Sequence, residues 1–145
     1  MRLVPFYVPS STTFTRIGVR ISTSTGGSSV RLGIYSSNSD NFPTTLVLDA
    51  GTVDGSSTGS KSINISQTLS EGLYWLAATP QGVSGVGIRS FTTGYTFYVH
   101  SGTVAGGIDA NPANCYTVSS ISGSLPSTIS SWSLGGNAPA VHLGV

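Results

Sequence analysis

A chain of 145 residues is long enough for one domain with its own core, and its single cysteine, Cys115, rules out a disulfide within the chain. Charged residues make up only 8%, against about 25% in ordinary soluble domains. With a formal net charge of +1 there is no clustered basic surface of the kind nucleic acid needs, and no apolar run approaches the roughly 20 residues of a membrane-spanning helix.

Solubility therefore falls to hydroxyls and amides, and Ser and Thr dominate the polar positions. Hydrophobic residues still amount to 38%, and their alternating arrangement can fill a core, which argues for a folded chain over a disordered one. The amino-terminal stretch MRLVPFYVPSSTTF is interrupted by Pro5 and Pro9 and does not read as a signal peptide. Cys115 reads as a small buried hydrophobe.

In chain order, period two is the dominant signal. In Arg16–Ile21 the residues Ile17, Val19 and Ile21 share one face, and Arg16, Gly18 and Arg20 the other. Val30–Tyr35 repeats the pattern with Val30, Leu32 and Ile34 inward. Gly26-Gly27 between these two segments predicts a hairpin, with Arg16, Arg20 and Arg31 on its solvent face. A brief strand is expected at Leu46–Asp49, followed by a turn at Asp49-Ala50-Gly51, and another strand at Lys61–Ser66. Gly72–Ala78 is apolar on both faces, which predicts a central strand with one side in the core and the other under a loop or a partner. Val86–Phe91 and Tyr95–His100 suggest a second hairpin. Tyr116–Ile121 is a further candidate strand, and Ala140–Val145 closes the chain with Val141, Leu143 and Val145 aligned.

No window holds helical periodicity beyond two turns. The pattern predicts a single domain over residues 1–145, all-β, an antiparallel β-sandwich of jelly-roll-like type with about eight or nine short strands. The stretch from about 101 to 137, rich in Gly, Ser, Pro and Asn, reads either as a long functional loop or as two weak edge strands with ordinary connections. Trp132, flanked by serines, caps the core or contacts a partner.

The acidic residues are Asp40, Asp49, Asp54, Glu71 and Asp109. A glycosidase needs two carboxylates about 5–9.5 Å apart, and none of these sits in a recognisable frame; most lie in turn-like contexts. His100 and His142 fall in no zinc spacing, and no G-x-S-x-G frame supports a nucleophilic serine. The loops around Asp40 and around Asp49 and Asp54 depart from the calcium-loop pattern. The sequon Asn64-Ile65-Ser66 lies inside an expected strand and reads as coincidence. No enzyme activity, cofactor or metal is expected. Arg16, Arg20 and Arg31 are able to bind anionic sugars or a partner's acids, with solvation of a sheet face as the plainer role. Tyr35, Tyr95, Tyr98 and Trp132 are the candidates for stacking on sugars.

LVPFYVPSSTTFTRIGVRIST, VRLGIYSSNSDNFPTTLVLDAGTVDGSS and ISQTLSEGLYWLAA, within residues 3 to 78, together resemble the β-sandwich domain near the carboxy ends of tailed-bacteriophage tail fibres and minor tail proteins. The closing NAPAVHLGV is similar to the ends of such proteins. The resemblance implies a non-catalytic virion protein, made in the host cytoplasm and displayed on the particle exterior. It also implies a homo-oligomer, trimers included, that contacts other virion proteins. Family members carry this domain at the end of a long fibre, whereas here it is nearly the whole chain. Three readings compete: a tail-tip module that meets a host-surface glycan or protein, a head-decoration (cement) protein, and, more remotely, a glycan hydrolase.

Overall fold

The computed structural model describes residues 1–90 and 115–145. Ten strands form within them: β1 (Arg2–Val8), β2 (Thr12–Thr23), β3 (Ser28–Ser37), β4 (Pro43–Asp54), β5 (Gly59–Leu69), β6 (Gly72–Gly82), β7 (Gly87–Ile88), β8 (Cys115–Thr117), β9 (Ser133–Gly135) and β10 (Val141–Gly144). One sheet runs β4-β3-β6-β1-β8-β9. The other runs β10-β2-β5, with β7 also paired to β2. Every pairing is antiparallel. The architecture is an antiparallel β-sandwich.

Alternation explains how the layers close. Ile17, Val19 and Ile21 of β2, Val30, Leu32 and Ile34 of β3, Val4 and Val8 of β1, and Leu76 and Ala78 of β6 all point between the sheets and belong to one core cluster. Each Val, Leu or Ile side chain removed from water contributes about 1.5–3 kcal/mol, so a handful of them outweighs any single polar contact. Cys115 lies in this core as a free, buried thiol, and burial pushes its pKa up.

The expected hairpin across Gly26-Gly27 does not form. β2 belongs to the smaller sheet and pairs with β5, β7 and β10, while β3 belongs to the larger sheet between β4 and β6. The turn carries the chain from one layer to the other. Gly27 takes a left-handed φ of 77°, Ser28 bonds back to Thr25 O, and the turn is tied to Gly55, whose N–H donates to Ser28 O and whose carbonyl accepts from Thr25 N. The physical reason is burial. Facing each other across the sandwich, the two apolar rows cover one another, whereas as neighbours in one sheet both would need cover from elsewhere.

β4 is longer than expected. The supposed turn at Asp49-Ala50-Gly51 is a bulged stretch of continuous strand, with Gly51 at φ 92° and a register shift against β3 at Leu32/Gly33. β8 is shorter than the expected Tyr116–Ile121, and β9 carries no period-two signal over its three residues. Val145 is exposed instead of aligned with Val141. Of the second expected hairpin, only β7 falls among the described residues; 91–100 lies outside them.

β6 occupies the central position its two apolar faces predict. Leu76 and Ala78 face the inter-sheet core; Trp75 and Ala77 face outward into a second cluster with Leu3, Tyr35, Tyr116, Leu125 and Ile129. A loop covers that outer face: the segment between β8 and β9, residues 118–132.

Candidate functional site

Three surfaces carry the polar and aromatic side chains that a function would draw on. The first is the lidded outer face of the larger sheet. Segment 118–132 docks there by hydrogen bonds as well as by apolar contact. Leu46 N–H donates to Ser127 O (2.9 Å) and Ile129 N–H to Thr44 O (2.7 Å), so the lid adds a short antiparallel pairing to the edge of β4. Such cover protects an edge strand from pairing with another chain.

Asp49 links the lid to the sheet. Its carboxylate accepts Arg31 Nε–H at 2.8 and 3.0 Å, Gly51 N–H at 3.2 Å and Leu125 N–H at 3.0 Å. Burial raises the carboxyl pKa, but the bonds from Arg31, Leu125 and Gly51 and the Arg31 charge outweigh it and hold the group below its usual range. Arg31 is thus committed to an ion pair and is not an open ligand for anionic sugars. It also lies on a different sheet from Arg16 and Arg20, which corrects the shared hairpin face expected for the three.

Tyr35 is fully buried, and its hydroxyl donates to Pro126 O at 2.8 Å. Burial, and secondarily the Asp49 charge, push its pKa up, so it remains a donor. It holds the lid down and offers no ring face for sugar stacking. Trp132 is half-buried, stacked on Phe42 (centroids 4.8 Å apart) and against Tyr116 (4.2 Å). It packs against the second core cluster, as a capping role requires. Tyr95, Tyr98, His100 and Asp109 lie outside the described residues.

The second surface is the exposed outer face of the smaller sheet. β2 places Arg16, Gly18 and Arg20 outward, and cross-strand pairing sets Asn64 beside Arg16, His142 and Ser62 beside Gly18, and Ser60 beside Arg20. The face is polar and cationic. A Cβ on Gly18 would come within 2.7 Å of Lys61 O and 2.8 Å of His142 Nε2, so glycine is what lets the imidazole lie across the strand. Arg16, Arg20 and His142 form no ion pair with the described residues, and this face gathers the two guanidinium groups that β2's alternation aims outward.

The third is a cleft of about 480 Å³ at one open end of the sandwich, between β1, β6 and β8 on one side and β7 and the approach to β10 on the other. Arg2, Ala78 and Thr117 form one cross-strand row there. Arg2 Nη1–H donates to Asn137 O at 3.0 Å, and Asn137 is one of few non-glycine residues with a positive φ, 58°. Arg2 is not among the site residues that the sequence suggests. The signal was available, because Arg2 stands in phase with Val4, Phe6 and Val8, on the side of β1 that faces the core.

Three carboxylates make structural contacts among the described residues. Asp54 accepts Ser56 N–H and Oγ–H and closes its turn, Asp49 pins the lid, and Glu71 accepts the Tyr7 hydroxyl at 3.2 Å. Among the described residues no three His, Cys, Asp or Glu side chains gather as a metal site. Comparisons with protein-family models, with curated proteins and with solved structures gave no match.

Proposed function

We propose that this chain is a non-catalytic structural module of the exterior of a bacteriophage particle, of the tail-fibre or tail-tip kind. The observation that carries the reading is where the resembling segments fall. PFYV forms most of β1, RLGIY lies in β3, LVLDAGTV in β4 and GLYWLA in β6, and these four strands are consecutive neighbours, β4-β3-β6-β1. The likeness to tail-fibre domains therefore takes in four adjacent strands of the larger sheet, and its remaining segments supply β2, part of β5 and β10 of the smaller one.

Two further features fit a displayed, assembled module. One sheet face is sealed by the lid, while the other sheet offers the polar face of Arg16, Arg20 and His142 to a host-surface glycan or protein. Tyr7, Val83, Leu134 and Val145 leave apolar area exposed, which suits contact with copies of the same chain or with other virion proteins.

Immunogold electron microscopy of intact particles, with an antibody raised against the domain, tests the proposal. Gold at the tail tip or along fibres is the expected result. Gold spread over the head would replace it with a decoration role, and particles without label would end the virion reading.

A further inference from the structure

We infer that the cleft at the open end of the sandwich binds a small ring-shaped ligand bearing a carboxylate, of the acidic-monosaccharide class, with Arg2 as its anchor. The volume, about 480 Å³, falls within the roughly 300–1,000 Å³ of small-molecule sites. Its lining divides by chemistry. Pro80, Val86, Ile88 and Pro139 provide apolar walls; Ser90 and Thr117 provide hydroxyls.

Arg2 sets the charge preference. Alternation along β1 turns it to the core-facing side, where its neighbours in register are Ala78 and Thr117. The Asn137 carbonyl fixes one end of the guanidinium at 3.0 Å. The left-handed backbone of Asn137, at φ 58°, delivers the carbonyl that orients Arg2. Among the described residues no Asp or Glu lines the cleft, and none of their carboxylates pairs with Arg2. A guanidinium held at one nitrogen still presents N–H donors in the planar fork that a carboxylate matches with two bonds. A sugar acid complements the remainder: its C–H face meets Ile88 and Pro139, and its ring hydroxyls meet Ser90 and Thr117.

Nothing in the cleft depends on where the protein is displayed, so this site and the virion reading stand or fall separately. The test is a titration of the ¹⁵N-labelled protein with glucuronate, glucose and acetate, followed by amide shifts. Glucuronate is expected to saturate shifts at Arg2, Ile88 and Thr117. Glucose, lacking the carboxylate, and acetate, lacking the ring, are each expected to bind about tenfold or more weaker. Arg2→Gln is expected to weaken glucuronate binding by about tenfold without moving the thermal midpoint. Should Arg2→Gln misfold, Arg2→Lys keeps the charge and loses the paired donors: weaker glucuronate binding supports the site, and wild-type binding overturns it. Glucose or acetate binding as tightly as glucuronate, or glucuronate shifts absent from the cleft, would also overturn it.

Discussion

Gly33 and Asp49 sit side by side in the β3–β4 register and together determine how closely the lid approaches the larger sheet. A Cβ on Gly33 would collide with Leu125 Cδ1 and come within 2.7 Å of Leu48 O, so the absent side chain is the socket into which Leu125 fits. Gly33→Ala is expected to cost about 1–3 kcal/mol by overpacking, read as a lower midpoint in urea with an unchanged slope. Asp49→Asn removes a charged acceptor that satisfies a guanidinium and two backbone N–H groups, and is expected to cost about 1.5–3 kcal/mol. The same carboxylate predicts an acid sensitivity. Its folded pKa lies below the ordinary value of 3.8, so the unfolded chain binds the proton more readily. Its contribution is complete above that ordinary value and is lost as pH falls through the lower folded value. Thermal midpoints measured from pH 5 to about pH 2 should fall more steeply for the wild type than for Asp49→Asn, because the variant has no carboxylate there to protonate.

At the scale of elements, segment 118–132 behaves as a third layer built without regular secondary structure. It fills the outward face of β6 with Leu125 and Ile129, pairs with β4 and ends on the stack of Trp132, Phe42 and Tyr116. Leu125→Ala should leave a cavity beneath the lid and cost about 2–4 kcal/mol. Since Trp75 and Trp132 both belong to this cluster, a red-shifted emission alongside the lower midpoint would locate the damage at the lid. An unchanged emission would mean that the lid remains seated. The β2–β3 turn shows the complementary point. Gly26-Gly27 is read correctly as a turn, but its bonds to Gly55 direct the chain across the sandwich and not back along the same sheet.

For the whole molecule, the pairings are mostly between segments distant in the chain: β1 pairs with β6 and β8, and β2 with β5 and β10. Closing those long loops precedes the gain from their contacts. The chain should therefore fold on the millisecond-to-second scale of all-β sandwiches, not in microseconds, a distinction stopped-flow tryptophan fluorescence can make.

Facing was legible residue by residue. Ile17, Val19, Ile21, Val30, Leu32 and Ile34 point inward as period two requires, and the double-sided apolarity of β6 announced both its central place and a cover on its second face. Pairing was not legible, because alternation states which side of a strand meets the core and is silent on which strand lies next to it. The same limit affected the candidate sites: Arg31 resembles Arg16 and Arg20 in the sequence, yet only the fold brings Asp49 to it across a bulge. Tyr35 resembles any exposed strand tyrosine until Pro126 arrives from ninety-one residues away. Thus the sequence by itself determined the all-β class and the inward rows, since these follow from local side-chain spacing. The two-sheet partition, the segment that forms the lid and the residues that meet Arg2 in its cleft were decided only by the tertiary structure, since each is a contact between segments far apart along the chain.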